Sequence, residues 1–402
     1  MSVYIQDTNF EGSVSLHEAL LSAMNNAVEG AGVYAFVTTG GVHLLLENEK
    51  FQEFMRRGKY KLIVGIDEVT NTKTLTKLRA LSSKYEGNLE VFAFLNKNIN
   101  SSLFHPKFSW FQDENGGYLI TSSGNLTEKG LRKNREIFSV EKVSIQELNE
   151  AKSLWNDWLE SNCNLLKELD DTEVLEQAVK NERFLAFRRE GNRNSVNNND
   201  ELENIAEVDG ELDSINEVVE ENDNINTSEI LEVEDEDIEA WAFTESDDIL
   251  VHEIPRNGDR FKQVNFNKSV FNQFFGAQTI TEFDNINIFK NVLPDGSVEV
   301  TEERPFVKVK SDNYRFELGA LAGRTYPSEG RPIGIFIRVA TRMFLYTVVM
   351  PNNDYFEEVK QYLYKYTTTT RVDRMKVLNA NVADTKEHCP SLPFWKLIEI
   401  RW

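Results

Sequence analysis

Three short apolar runs, VYAFVTT, YKLIVGID and NLEVFAFL, occupy the first hundred residues, each long enough for one buried strand. Strands that read as continuously apolar are covered on both faces. Between and before them, VSLHEALLSAMNNAV, HLLLENEKFQEFMRRG and KTLTKLRALSSKY carry apolar residues at helical spacing, the second stopped by Gly58. Such alternation predicts an α/β domain with a mainly parallel sheet clothed by helices.

The next stretch carries the chemistry. If LFHPKFSWF is extended, its period of two sets His105 and Lys107 on one face and Phe104 and Phe108 on the other. Pro106 confines this segment to an edge or to the start of a strand. After the turn at Asp113 to Gly117, GYLITSS predicts a second strand that delivers Ser122, Ser123, Gly124 and Asn125 to the same end. A short helix is expected behind Thr127, its first amides forming an anion nest with the Ser-Ser-Gly backbone.

Imidazole, ammonium, carboxamide and amides together suit a phosphate. A neutral imidazole can attack phosphorus near physiological pH without a separate base. Lys107 and Asn125 would stabilise charge on the non-bridging oxygens, and a second, protonated histidine would release the alkoxide. A lone histidine in a strand is more often structural; its company here argues for function. Glu136 opens the β-like run EIFSVEKV, where a solvated edge carboxylate is the bland alternative.

A net charge of −22 argues against nucleic acid until it is divided along the chain. From Asp200 to Asp248 there are 21 acidic residues and no basic ones, while the remaining 45 acidic residues face 44 basic ones. This Asn-, Asp- and Glu-rich stretch reads as a linker, residues 191–248. A sharper alternative is an autoinhibitory DNA mimic that fills the phosphate cleft. Before it, IQELNEAKSLWNDWLESNCNLLKEL predicts a long amphipathic helix whose Leu148, Trp155 and Trp158 serve a core or a dimer contact, and EVLEQAVKNERFLAFRRE continues the helical pattern.

Past residue 249 come short apolar or alternating runs, DILVHEI, INIFKNV, SVEVTEE, PFVKVKS, YRFELGAL, IGIFIRVA and MFLYTVVM, interrupted by SVFNQFFG and NDYFEEVKQYLYKY with helical pattern. They predict a mostly antiparallel barrel. Cys163 and Cys389 lie far apart with no metal spacing, which suggests a reducing compartment and no zinc. The N-terminus lacks a basic start and an apolar core, and no apolar run reaches about 18 residues, so a cytoplasmic protein with no membrane partner is expected.

His105-Pro106-Lys107 followed by Ser122-Ser123-Gly124-Asn125 resembles the H-x-K…G-S-x-N signature of the phospholipase D superfamily, with Ser122 where Gly is usual. SSGNLTEKGLRKNREI resembles its restriction-endonuclease branch, the BfiI and NgoFVII type. The resemblance implies His105 as nucleophile or acid, Lys107 and Asn125 as phosphate ligands, Glu136 as the carboxylate supporting the histidine, and no metal or other cofactor. The Asp expected five residues after the motif Lys is Gln112, with Asp113 beside it, so Glu136 inherits the orienting role. Such a site needs two halves, yet His17, His43, His252 and His388 lack a Lys two residues on. A homodimer with one composite site follows.

RFKQVNFNKSVFNQFFG, NYRFELGAL and YPSEGRPIGIFIRVATRMFLYTVVMP likewise resemble the DNA-binding half of these enzymes, a pseudobarrel related to the plant B-three domain. The implied organisation is a phospholipase D-like nuclease domain over residues 1–190, the acidic linker, and the pseudobarrel over 249–402. The residue types for reading double-stranded DNA are Arg256, Arg260, Lys262, Gln263, Asn265, Asn267 and Lys268 in the first arm, and Arg324, Tyr326, Ser328 and Arg331 in the second. Arg338 and Arg342, in or beside an apolar run, suit a structural role. The expected activity is site-specific, metal-independent cleavage of DNA. Some relatives work with a separate ATP-dependent translocase; this chain has no GxxxxGK[ST] loop of its own. The alternatives are a non-specific or vestigial nuclease that mainly binds DNA, and a phospholipase, for which no membrane-seeking helix or lipidation signal is found.

Overall fold

The computed structural model describes the chain except for residues 11, 68, 97–102, 183–240, 256–260, 277–285, 310–312, 368–374 and 400–402. The acidic segment up to residue 240, Arg256 and Arg260 therefore lie outside the described residues.

The expected alternation opens the fold. After β1 (Ser2–Gln6) and α1 (Leu16–Met24), strands β2 (Glu29–Tyr34), β3 (Lys59–Gly65) and β4 (Leu89–Phe94) pair in parallel in chain order. Helices α2 (Thr39–Leu46), α3 (Glu49–Arg57) and α4 (Thr72–Lys84) join them. Each helix starts at a residue able to cap its amides: Ser15, in a capping box with Glu18, then Thr38, Asn48 and Asn71. The cap at Asn48 divides HLLLENEKFQEFMRRG, read above as one helix, into two.

From β5 onward the sheet departs from the parallel expectation. β5 (Lys107–Asp113) and β6 (Gly116–Ser122) form a hairpin, β7 (Glu136–Ser144) runs antiparallel to β6, and β1 runs antiparallel to β7. β5 also lies antiparallel to β2, and β8 (Leu166–Glu168) antiparallel to β4. In the order β1-β7-β6-β5-β2-β3-β4-β8, only β2–β3 and β3–β4 are parallel among the described residues. Parallel neighbours need a crossover helix, and β5 to β7 follow one another without one. β5 is thus a central strand, and Pro106 stands just before its first residue, where a missing N–H costs no ladder bond.

Helix α5 (Ile145–Ser161) covers one face of this sheet, burying Leu148 and Trp155 against Val33, Phe94, Phe104 and Trp110. It is shorter than the sequence pattern. The Asn162 amide takes the carbonyls of Trp158 and Leu159, both at 3.2 Å, and the following leucines leave the helix for edge strand β8.

Past residue 240, two sheets supply one aromatic core. The larger has the order β12 (Glu302–Pro305), β11 (Ile286–Asn291), β16 (Met343–Val349), β15 (Ile333–Ala340), β9 (Asp248–Glu253), β17 (Val377–Asn381). The smaller has the order β10 (Gln263–Phe266), β14 (Tyr314–Glu317), β13 (Val307–Lys308). Phe266 and Phe316 from the small sheet meet Phe289, Phe336 and Phe344 from the large one. Pairing is antiparallel except for β11 with β16. Of SVEVTEE only the end enters a strand, and β10, β17 and the helix Val382–His388 are additions to the sequence reading.

A buried polar joint connects the two parts. At the β15–β16 corner Arg342, the one non-glycine residue with positive φ (54°) among those described, sends its guanidinium to α1 to ion-pair with Glu18. Arg132 reaches the other way, donating to the carbonyls of Ile286 (3.1 Å) and Thr341 (3.3 Å) and to His17 Nδ1. All four side chains are nearly or fully excluded from solvent. Burial alone would raise the Glu18 pKa, but Arg342 and Arg132 outweigh it and hold it down to about 2. Burial, aided by Arg132, pushes His17 down to about 3 and keeps it neutral.

Candidate active site

His105 and Lys107 sit where the chain enters β5. Lys107, the first residue of the strand, pairs with Tyr34 of β2, which buries its stem, while His105 in the preceding extended segment stays exposed. The Lys107 Nζ lies 2.8 Å from His105 Nδ1 and 3.0 Å from the His105 carbonyl. An ammonium has only hydrogens to give, so Nδ1 supplies the lone pair and the ring proton rests on Nε2. Attack through Nε2 therefore requires Lys107 to turn from the ring to the phosphate and the ring proton to move from Nε2 to Nδ1. Desolvation lowers the Lys107 pKa, opposed by the charge of Glu136.

The second loop is held against the first by a segment that sequence reading assigned only to a buried strand. The Ala35 amide donates to the Pro106 carbonyl at 3.0 Å, and the Phe36 amide donates to Asn125 Oδ1 at 3.1 Å. The Phe36 ring meets the His105 ring edge-on at 5.9 Å. Leu126 then bridges in parallel to Val37. With Oδ1 engaged, Nδ2 is the donor end of the Asn125 carboxamide. Residues 35–38 thus clamp both halves of the motif, and the signal for it was the Gly-Gly that follows: a Cβ on Gly41 would stand 2.0 Å from the Leu126 carbonyl oxygen.

Glu136 opens β7 with its side chain buried, accepting from the Ser123 hydroxyl and from Asn134 Nδ2 (3.2 Å). Ser123 Oγ in turn accepts from the Ile137 amide at 3.1 Å. Ser122 Oγ accepts from the Gly124 amide at 2.8 Å and keeps its own hydrogen to donate. The expected backbone nest is not built from these residues. The Ser123 amide goes to the Ile137 carbonyl, the Gly124 amide to Ser122, and the Leu126 amide to the Phe36 carbonyl. The helix expected behind Thr127 is a single π-helical turn, Lys129–Lys133, clamped by buried Gln6, whose Nε2 donates to the carbonyls of Gly130 and Asn134. Trp241 is buried and donates to Glu128, three residues past Asn125.

Neither a known protein family nor a curated protein matches the chain. Among solved structures, Nuc from Salmonella typhimurium, a phospholipase D family member, is 17% identical over 41% of this chain and 96% of its own, with a TM-score of 0.30. NucT from Helicobacter pylori is 16% identical over 40% and 95%, with a TM-score of 0.29. The N-terminal domain of Helicobacter pylori LlaJI.R1 is 9% identical over 33% and 97%, with a TM-score of 0.24.

The candidates between Lys262 and Arg331 are dispersed. Tyr326 donates to the Ile254 carbonyl at 2.9 Å and Arg331 to Glu253 at 2.9 Å, while Asn267 caps the turn Lys268–Val270. These three are engaged in holding the fold. Lys262 pairs with Glu317 at 2.9 Å, Gln263 donates to the same carboxylate at 3.2 Å, and Ser328 donates to Glu329. Lys268 and Arg324 are exposed, and Asn265 carries a buried Oδ1 with no partner among the described residues. Arg338 stacks on Phe274 and pairs with Asp248, and with Arg342 it takes the structural part expected of it. No helix among the described residues is long and apolar enough to cross a membrane.

Proposed function

We propose that the chain is a phosphodiesterase acting on DNA, in which His105 attacks phosphorus and a second copy of the chain supplies the other histidine. The observation that carries this reading is the Lys107 ammonium lying 2.8 Å from an exposed imidazole, with Asn125 clamped beside it through Phe36. A P–N bond forms to one His105 as the P–O bond to the leaving strand breaks. The partner's imidazolium gives that alkoxide its proton, then takes one from the water that hydrolyses the phosphohistidine. Lys107, Ser122 and Asn125 hold the non-bridging oxygens, and the buried Glu136 sets the field in which Lys107 stays charged.

A homodimer has a surface available to it. Val3 and Ile5 on edge strand β1 are 61% and 46% exposed, and Ile137, paired with Ile5 and adjacent to Glu136, is 60% exposed. An apolar strip of this kind beside an incomplete site suits a second copy. The second domain would supply site specificity as a restriction endonuclease, with Lys262, Lys268 and Arg324 meeting DNA; an ATP-dependent translocase partner is compatible with this reading.

The test is incubation with a long DNA in excess EDTA, followed by sequencing of the ends. Discrete ends are expected; random nicks would leave a non-specific nuclease, and loss of cleavage restored by magnesium would overturn the metal-independent mechanism. A gel shift with no cleavage would favour the second reading, a vestigial nuclease domain carried by a DNA-binding protein.

A further inference from the structure

A cavity of about 490 Å³ has His105 and its neighbours Phe104 and Pro106 in its wall. Five aromatic side chains, Phe94, Phe104, Phe108, Trp155 and Trp158, share the rest of the wall with Val33, Leu103 and Leu165. Three of the rings are aligned. Phe94 and Phe104 stack at 4.0 Å and 11°, and Trp158 continues the array at 6.0 Å and 9° from Phe94 and 6.4 Å and 20° from Phe104. Trp158 is only half-buried, so the array ends on an indole reachable from outside. Two carboxamides, Asn96 and Asn162, interrupt the apolar lining. Asn162 spends its Nδ2 on the Trp158 carbonyl at 2.8 Å, which fixes the amide next to the indole.

We infer that this cavity receives a nucleobase of the strand being cut, unstacked from its neighbours, while the adjoining phosphate sits between His105, Lys107 and Asn125. The inference rests on the phosphodiesterase reading and adds a recognition element to it. A flexible acyl chain gains nothing from parallel ring faces, whereas a planar base stacks on them. The size lies within the range of ligand pockets, roughly 300–1,000 Å³. Carboxamides are the side chains that match a base's exposed donor and acceptor edge. Because His105 belongs both to the cavity wall and to the phosphate end, base and phosphate of one nucleotide are addressed together. Aromatic residues of α5, read from sequence as core or dimer contacts, thereby gain a ligand-facing role.

The test uses tryptophan fluorescence of the full chain titrated with deoxyadenosine monophosphate and, separately, with 2-deoxyribose 5-phosphate, which has the phosphate but no base. The nucleotide is expected to bind at least about tenfold tighter and to quench, since stacking a base contributes roughly that factor or more. Trp158→Leu should remove the difference, with Asn162→Ala, at a position that leaves the ring array intact, reducing it; circular dichroism checks that both variants fold. Equal affinity for the two probes, each weakened by Lys107→Ala, would overturn the base pocket and leave the phosphate site standing. Binding of neither probe would overturn both readings. Exclusion of the nucleotide together with conversion of the Trp158→Leu protein to a monomer in sedimentation would assign the cavity to a second copy of the chain and likewise overturn the proposal.

Discussion

The guanidinium of Arg342 at the β15–β16 corner and the carboxylate of Glu18 on α1 form an ion pair with both groups shut off from solvent. Removing Arg342 leaves the Glu18 carboxylate inside the protein with Arg132, 3.7 Å away, as its remaining counter-charge. Arg342→Ala is therefore expected to destabilise the chain by about 3–5 kcal/mol, measured by urea denaturation. A loss within about 0.5 kcal/mol, the range of an ordinary surface substitution, would contradict the joint.

The same joint makes the protein acid-sensitive. Glu18 titrates at about 2 in the fold against 4.5 when unperturbed, and His17 at about 3 against 6.5. Both folded values are depressed, so both groups bind protons more readily in the unfolded chain. Their stabilisation is complete above pH 6.5, erodes first through His17 as pH falls toward 3, and then through Glu18 between 4.5 and 2. Glu18→Gln should flatten the lower part of that curve and leave the part between pH 6.5 and 4.5 in place.

Activity should fail on the alkaline side early. Desolvation depresses the Lys107 pKa below its ordinary 10.5, so the ammonium that binds phosphate is lost at a lower pH than an exposed lysine would lose it. Lys107→Arg, which stays charged, should move the alkaline fall upward, and Lys107→Ala should cost about 100- to 1,000-fold in rate. A pH–rate profile flat through the ordinary lysine range would exclude Lys107 as the phosphate cation.

Mixing tests the composite site. Equal amounts of wild-type and His105→Ala chains, unfolded and reassembled at random, should retain about one quarter of the activity, because only wild-type pairs own two histidines. Retention of about half would give each subunit a complete site. Ile137→Asp, placed in the exposed apolar strip, should yield monomers in sedimentation and no cleavage, with the fold of each chain preserved.

Much of this site was legible in the sequence because its residues are close together and chemically unusual: His105 and Lys107 two apart, Asn125 after a turn, Glu136 at the next strand. What was not legible is what aligns them. The clamp at residues 35–38 works through backbone amides, which any residue supplies, and only Gly41 beneath the Leu126 carbonyl marks the close approach. Sheet direction was misjudged for a related reason. The first strands carry crossover helices and pair in parallel, but β5 to β7 return through short connections, and β1, with exposed Val3 and Ile5, does not read as a strand at all until its partner β7 is known. Ser123 and Gly124 were expected to face an anion with their amides; local turns and the β7 ladder claimed those amides first.

The left-handed corner that carries Arg342 limits how the chain can be recombined. Recombining either half with a foreign counterpart removes Arg342 from Glu18 or Glu18 from Arg342 inside a solvent-free joint, so neither half can be exchanged alone. Ser13 through Glu18, Arg132 and the Thr341–Arg342 tip have to travel as one transplant, and a chimaera that ignores them should be insoluble before it is inactive.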